Sequence, residues 1–507
     1  MRLRDLLDGV VDPVVVVAGS GPPDDAILDR VDIESVVADS RRAGPNALFA
    51  CVVGARHDGH DHATDAVRSG AAAVLVERPL DLAAARNAGV AQILVPSVRC
   101  VLGPISSRLA GDPSRSLAVI GVTGTNGKTT VTHLLEAIGT AAGRPTAVLG
   151  TLGARWGGRT IAATFTTPEA PDLQREFAAM RDDGVDLAAV EVSSHAVAHH
   201  RIDGTTFAVL GFTNLSSEHL DLHGTMAEYF AAKAALFDPR FTTRAAVVID
   251  DEWGRRLVAD ARAAGLDVST VSRNDPAASV HAVELVTTAA GSRFVAIREG
   301  REPLRVSIAL VGDFNVTNAL LAIALADAVG LADEAIVLGL ATVRAVPGRL
   351  EPVADPSGRS VFVDYAHTPE ALATVLRTAR ALAPAGRVVL VFGCGGDRDR
   401  TKRPLMGQVA ARLADVAVLT SDNPRSEDPA AIAAEVLAGL DAGDPGPVVE
   451  LDRRAAITVA LRSAAPGDVV LITGKGHETG QTAGGVTVPF DDRVVAASLV
   501  GEVEPCS

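Results

Sequence analysis

The sequence predicts an α/β protein of three domains built on parallel sheets, and three observations predict it. Short apolar runs alternate with helix-like stretches over most of the 507 residues, and runs of that length read as strands covered on both faces. A glycine-rich loop, Gly121-Val-Thr-Gly124-Thr125-Asn126-Gly127-Lys128-Thr129-Thr130, separates one such strand from a helix. Three later strands each run straight into a polar loop, and ligands of open α/β sheets bind beyond the carboxyl ends of strands. At about 100–200 residues per domain, the length fits three.

In chain order, residues 1–112 alternate short apolar runs with turns, with strands expected at Ala47–Val53 and Ala71–Val76. Gly111-Asp112-Pro113 is a boundary by its turn chemistry. In 113–345, Leu117–Val122 is a buried strand, Thr129–Ala142 a helix stopped by Gly143, and Leu187–Val192 and Phe207–Phe212 further buried strands. Residues 265–312 read as β-rich and irregular. Val346-Pro347-Gly348-Arg349 breaks the helical pattern and opens 346–507. There Val388–Phe392, Val416–Thr420 and Val469–Thr473 are strands, followed by Gly-Cys-Gly-Gly-Asp-Arg398, Ser-Asp422-Asn423-Pro424-Arg425 and Gly474-Lys475-Gly-His-Glu478. Three such loops in one module point to one pocket.

The net charge is −15 and no basic run appears, which argues against nucleic acid as a partner, because phosphate-backbone binding rests on clustered Lys and Arg. No stretch approaches the roughly 20 apolar residues of a membrane span. The apolar run Val14–Ala18 is too short for a signal core. Cys51, Cys100, Cys394 and Cys506 match no zinc spacing, so a cytoplasmic protein with reduced thiols is expected.

The glycine loop carries the first chemistry. Backbone N–H groups between strand and helix can surround phosphate oxygens. Lys128 would reach the β/γ-phosphates and the Thr129 hydroxyl would ligate Mg²⁺. The strict pattern asks for glycine six residues before the lysine, where Val122 stands. Glu191 ends a buried strand in a position suited to a second oxygen ligand of Mg²⁺. His219, between Glu218 and Asp221 at the next strand end, brings an imidazole to the same edge. Of 47 basic residues only Lys128, Lys233, Lys402 and Lys475 are lysines. Arginine supplies charge but not a deprotonatable amine, so the survivors are candidates for amine chemistry. A nucleotide switch and a ligase remain alternatives on these residues alone.

Nine stretches in order carry a resemblance: Thr123–Thr130, Glu191–His195, Thr213–Gly224, Gly312–Asn318, Pro347–Glu351, Asp364–Pro369, Gly396–Met406, Asp422–Arg425 and Gly474–Glu478. Over about residues 36–493 the chain resembles the Mur ligase family, most of all the branch that adds the third residue of the peptidoglycan stem peptide. The resemblance implies an N-terminal UDP-sugar domain, a central ATPase-type domain and a C-terminal Rossmann-like domain. It implies ATP-dependent amide formation on UDP-N-acetylmuramoyl-L-Ala-D-Glu through an acyl phosphate, with Mg²⁺. Lys233 matches a lysine carbamylated by CO₂, which with Thr129, Glu191 and His219 would hold metal.

By the same matching, Asn315 and Asn318 lie near the nucleotide base and Arg349 at a domain junction, and Asp364 and His367 face the ATP site. Ser40, Ala55, Arg56, His57, Thr166, Thr167, Ser193, His199 and Arg201 would contact the UDP-sugar peptide. Arg398, Asp422, Asn423, Pro424, Arg425, Gly474 and Glu478 would bind the incoming amino acid. Asp-Asn-Pro-Arg accompanies meso-diaminopimelate in the family, and an arginine can grip its second carboxylate bidentately. L-lysine and a folyl-polyglutamate-type reaction are the competing ligase readings. Ser217, Glu218 and Phe165 depart from the family's usual Arg-Asp and Asn. A monomer is expected.

Overall fold

The computed structural model describes residues 1–11, 15–18, 25–54, 57–82, 90–218 and 220–502. Ala55, Arg56 and His219, three of the expected site residues, lie outside the described residues.

The strands fall into three main sheets. In the first, Val15–Ala18, Ala91–Leu94, Ala73–Val76, Ala47–Ala50 and Ser35–Val37 lie side by side, parallel except for the first. The second has eleven strands. Its parallel centre runs Asp267–Ser272, Arg244–Val248, Val209–Phe212, Ala118–Thr123, Leu187–Glu191, Thr146–Gly150. The third carries Ser360–Asp364, Val469–Thr473, Val388–Phe392 and Val416–Leu419 in parallel, with the short Val448–Val449 beyond and an antiparallel edge at Glu351–Val353.

The alternation of side chains along Ala118–Thr123 explains how the central sheet is covered. Ile120 and Val122 face a core built from Val131, Leu134, Leu135 and Ile138 of the helix Lys128–Ala141, backed by the almost wholly buried helix Asp313–Ala328. Val119 faces the other side, toward Leu173, Phe177 and Met180 of Ala170–Asp182. With both faces buried, each Val, Ile or Leu contributes about 1.5–3 kcal/mol.

Residues 265–312 are more regular than the sequence suggests. Val280–Thr288, Gly291–Arg298 and Leu304–Ile308 form an antiparallel meander with one register shift between Val283 and Val286, where Glu284 takes φ 52°. That bulge, and the long exposed run along Val280–Thr288, hide the strand pattern.

Candidate active site

Strand Ala118–Thr123 lies between Leu187–Glu191 and Val209–Phe212, all parallel, so three carboxyl ends meet at one edge. The glycine loop starts there. Gly127 has φ 91°, and a Cβ on it would sit 2.4 Å from Asn318 Oδ1. Asn318 Nδ2 donates to Asn315 Oδ1 (3.0 Å), and Asn315 Nδ2 donates to the Val311 carbonyl (2.8 Å). Asn315 and Asn318 are thus buried beneath the loop and brace it. Gly127→Ala, strained in φ and in collision with that brace, is expected to cut ATP-dependent turnover at least about tenfold through a higher KM for ATP; steady-state kinetics against ATP checks it. From the far side the Asn214 carbonyl and side chain accept from Thr125 N (2.9 Å) and Asn126 N (3.0 Å). Thr130 is buried in the first helical turn.

Two amines converge on one carbonyl oxygen. Gly124 O accepts from Lys128 Nζ at 2.8 Å and from Lys233 Nζ at 2.9 Å. Lys233 comes from the helix Met226–Ala234, is 1% exposed, and lies over the Tyr229 ring at 4.8 Å. Burial and the charge of Lys128 hold its ammonium well below the usual lysine range, against the opposing pull of Glu218. Burial also lowers Lys128, opposed by Glu218 and Glu191.

Glu191, 1% exposed, accepts from Thr129 Oγ1 (3.2 Å), Thr151 N (3.0 Å) and Thr151 Oγ1 (3.1 Å). Arg349 Nη2 reaches Thr129 Oγ1 at 3.3 Å from the third sheet, with its guanidinium over the Tyr365 ring at 4.9 Å. Glu218 Oε1, at one of the positions that depart from the family, is 3.8 Å from His367 Nε2 across the same seam. Burial, with the charge of Lys402 adding, holds His367 below the usual imidazole range. Asp364, raised by burial, accepts from Leu350 N and Ala366 N at 2.7 Å each.

Among the described residues no group of three His, Cys, Asp or Glu gathers as a metal site. The neighbouring Thr129 hydroxyl and Glu191 carboxylate are nonetheless hard oxygen donors of the kind Mg²⁺ takes, one or two per protein, with phosphate and water completing the shell.

A chain of contacts leads from Glu191 to the expected sugar-peptide residues. Thr151 and Thr166 hydroxyls lie 3.3 Å apart, and Thr167 Oγ1 donates to the Glu191 carbonyl at 2.8 Å and accepts from Ser193 N at 3.1 Å. Arg201 Nη1 donates to the Thr167 carbonyl (3.2 Å), its Nη2 pairs with Glu169 (2.9 Å), and Phe165 lies under it at 4.4 Å. Phe165 therefore supports Arg201 by a cation–π contact. His199 lies at the end of the same segment, with its ring 6.5 Å from His195. Ser40, in a turn whose Arg42 pairs with Asp172 (2.9 Å), and the exposed His57 are not drawn into this chain.

A cavity of about 460 Å³ lies alongside, lined by Asp39, Arg42, Phe165, Glu169, Asp172 and Glu176 among others. One carboxyl oxygen of Glu176 is buried without a hydrogen-bond partner. Burial and the Asp172 charge push that carboxyl from 4.5 up to about 7, against Arg175. Between those values the folded chain holds a proton that the unfolded chain has lost, so stability falls as pH rises through this window. Glu176→Gln is expected to flatten that slope and to add about 1 kcal/mol above neutrality, discounted for partial solvation; denaturant titrations on either side of the window measure it.

The three loops of the third sheet do converge. Gly396 N donates to the Asn423 carbonyl at 2.9 Å. Lys475 Nζ, wholly buried, donates to Glu478 Oε2 (3.0 Å), Asn423 Oδ1 (3.3 Å) and the Gly480 carbonyl (2.6 Å). Asn423 Nδ2 also donates to Glu478 Oε2 at 2.7 Å. Lys475 is thus the tie between two loops. Asp422, buried and raised by burial, packs against Gly474, and Pro424 is buried beside it. Arg425 takes φ 54° and donates to the Gly396 carbonyl at 2.7 Å. Arg398 is exposed, and like Arg425 it lies beside Gly395.

The sequence reading missed Thr151 and Tyr229. Thr151 follows Thr146–Gly150, so its place just past a parallel strand was the signal. Tyr229, whose hydroxyl is 3.2 Å from Thr125 Oγ1, stands one helical turn before Lys233.

A phosphate loop, a buried oxygen pair and three polar loops converging at the end of another parallel sheet are the parts of an ATP-dependent ligase that forms C–N bonds, and the chain belongs to the Mur ligase family. Family models match residues 32–109 (Mur ligase family, catalytic domain), 122–326 (Mur ligase middle domain) and 348–476 (Mur ligase, glutamate ligase domain). More particularly, the chain is 44% identical over 478 residues to the UDP-N-acetylmuramoyl-L-alanyl-D-glutamate–2,6-diaminopimelate ligase of Streptomyces avermitilis, covering 93% of each. It is 43% identical over 510 residues to that of Synechococcus elongatus, covering 99% of each. A solved structure of a ligase with the same name superposes with a TM-score of 0.69 at 32% identity, covering 99% of both chains. The folylpolyglutamate synthase of Mycobacterium tuberculosis complexed with ADP shares the fold at 24% identity and a TM-score of 0.60, covering 73% of this chain and 90% of that one.

Proposed function

We infer that this chain joins meso-diaminopimelate to UDP-N-acetylmuramoyl-L-alanyl-D-glutamate at the expense of ATP, in peptidoglycan synthesis. The observation that carries the choice of amino acid is Arg425, fixed among the three converging loops by its backbone and the Gly396 carbonyl. Its guanidinium suits a second carboxylate, which L-lysine lacks.

A carboxylate attacking a triphosphate meets charge repulsion, so cations must gather where the two approach. Lys128 turns from Gly124 O to the phosphates, and Arg349 brings a second cation beside Thr129. The substrate carboxylate attacks the γ-phosphorus and ADP leaves. The amine of diaminopimelate then attacks the acyl phosphate carbon, phosphate departs and the amine loses a proton. Thr167, Ser193, His199 and Arg201 orient the sugar peptide, while Glu478 and Asn423 orient the amine side of the amino acid. Thr129 and Glu191, with His219 where the family places it, would hold Mg²⁺, which would supply charge neutralisation at the phosphates.

Lys233 is proposed to react with CO₂. A neutral amine attacks the carbon, loses a proton and becomes a carbamate, an anion able to hold metal. The depressed ammonium of Lys233 favours the neutral form this needs. The reading carries with it domains 1–112, 113–345 and 346–507, a cytoplasmic location and action as a monomer. Among the described residues no helix is long and apolar enough to cross a membrane.

Phosphate release with ATP, UDP-N-acetylmuramoyl-L-Ala-D-Glu and either meso-diaminopimelate or L-lysine tests the reading. Release that needs all three substrates, with diaminopimelate strongly preferred, is expected. Equal rates with both amino acids overturn the specificity, and release with ATP alone favours a nucleotide switch.

A further inference from the structure

Away from the phosphate loop, three side chains from two parts of the fold form a line that none of the steps above uses. Cys100 is an exposed free thiol on the helix Val98–Leu109. Its Sγ is 3.6 Å from His200 Nε2, and His200 Nδ1 is 2.8 Å from Asp203 Oδ2. The second contact fixes the tautomer. A carboxylate only accepts, so Nδ1 carries the proton and Nε2 turns its lone pair to the sulfur. Nucleophile, base and orienting acid within bonding reach are the arrangement that activates a thiol.

The backbone brings these groups together by close approach. Gly103 is three residues after Cys100, on the same helix face, and a Cβ on it would sit 2.1 Å from the Asp203 carbonyl oxygen. The absence of a side chain there lets the turn carrying Asp203 lie directly on the helix. His200 takes φ 55°, which swings its ring back over Cys100. Arg99, next on the helix, donates to the His199 carbonyl at 3.3 Å and so ties the helix to the segment carrying His200. Cys51 and Cys394 are buried, and burial pushes each thiol up to about 12.

We propose that Cys100 is a covalent modification site for low-molecular-weight disulfides, activated by His200 and Asp203. The thiol proton passes to His200 Nε2 and the sulfur attacks one sulfur of the disulfide. That S–S bond breaks as the mixed disulfide on Cys100 forms, and the departing thiolate takes the proton from His200. The adduct lies on the seam beside His199 and Arg201, so it obstructs the UDP-sugar peptide. This last clause rests on the placement of those two residues under the proposed function; the thiol chemistry does not.

The test uses the full chain with Cys506→Ser and dithiodipyridine as the disulfide, following thiopyridone release near neutral pH and locating the adduct by peptide mass. One fast equivalent at Cys100 is expected, absent in Cys100→Ser. Asp203→Asn keeps the size but can donate to Nδ1, leaving Nε2 protonated, and should slow that phase about tenfold. His200→Gln should do the same, and carries the comparison if Asp203→Asn melts at a lower temperature. Equal rates in parent and variants, or a Cys100 no faster than in the urea-unfolded chain, overturn the proposal. The adduct should raise KM for the UDP-sugar peptide in the parent and leave Cys100→Ser, treated alike, unchanged. A quantitative Cys100 adduct with unchanged KM overturns the obstruction and leaves the thiol chemistry standing.

Discussion

Replacing Lys233 with arginine is expected to lower kcat by about a thousandfold or more, roughly 4 kcal/mol of barrier, with little change in secondary structure. The two side chains differ in what each can become. Lys233 is 1% exposed beside a second ammonium, and both its burial and that neighbour favour the neutral amine. A neutral amine can take up CO₂ and present an anion beside the phosphate loop. A guanidinium stays charged and cannot. Arginine therefore leaves a cation where the reaction needs an anion. Degassed, bicarbonate-free buffer should lower the activity of the parent, and added bicarbonate should restore it while leaving Lys233→Arg inactive. Labelled CO₂ followed by carbon NMR should give a carbamate signal in the parent only. A Lys233→Arg enzyme with near-normal turnover would remove the carbamate from the mechanism and leave Lys233 a buried structural lysine.

The second large effect is expected at Arg425. Its φ of 54° makes most substitutions ambiguous, because a new side chain also strains the loop. Asparagine tolerates the left-handed region, so Arg425→Asn removes the guanidinium and spares the backbone. Loss of a bidentate charged contact costs about 2–3 kcal/mol, which predicts a rise of roughly a hundredfold in KM for meso-diaminopimelate. The KM for ATP and for the UDP-sugar peptide should hold. L-lysine, with no second carboxylate to lose, should be used no worse than before, so the preference between the two narrows. An unchanged KM for diaminopimelate would put its recognition elsewhere, with Arg398 the next candidate.

Much of this was legible along the chain because it depends on local order. A strand, a glycine turn, a lysine with a hydroxyl beside it and a helix, in that order, are the parts of a phosphate loop. Val388–Phe392 and Val469–Thr473 were read to the residue because continuous β-branched runs end where polar loops begin. The meander in 265–312 was blurred because Val280–Thr288 is largely exposed and carries a bulge. Asn315 and Asn318 were placed by resemblance near the nucleotide base; their observed contacts are with Val311 and the underside of Gly127.

The four lysines mark the same division. The sequence by itself determined that an amine chain scarce in lysine keeps one in each of three glycine-rich loops and one in an apolar helix, together with the order of motifs that defines the family. Only the tertiary structure decided that Lys128 and Lys233, 105 positions apart in the chain, share the Gly124 carbonyl, and that Lys475 ties two loops together rather than facing outward. The reason is physical. A residue's type fixes what it can do chemically, but its protonation depends on burial and on which charges folding brings beside it.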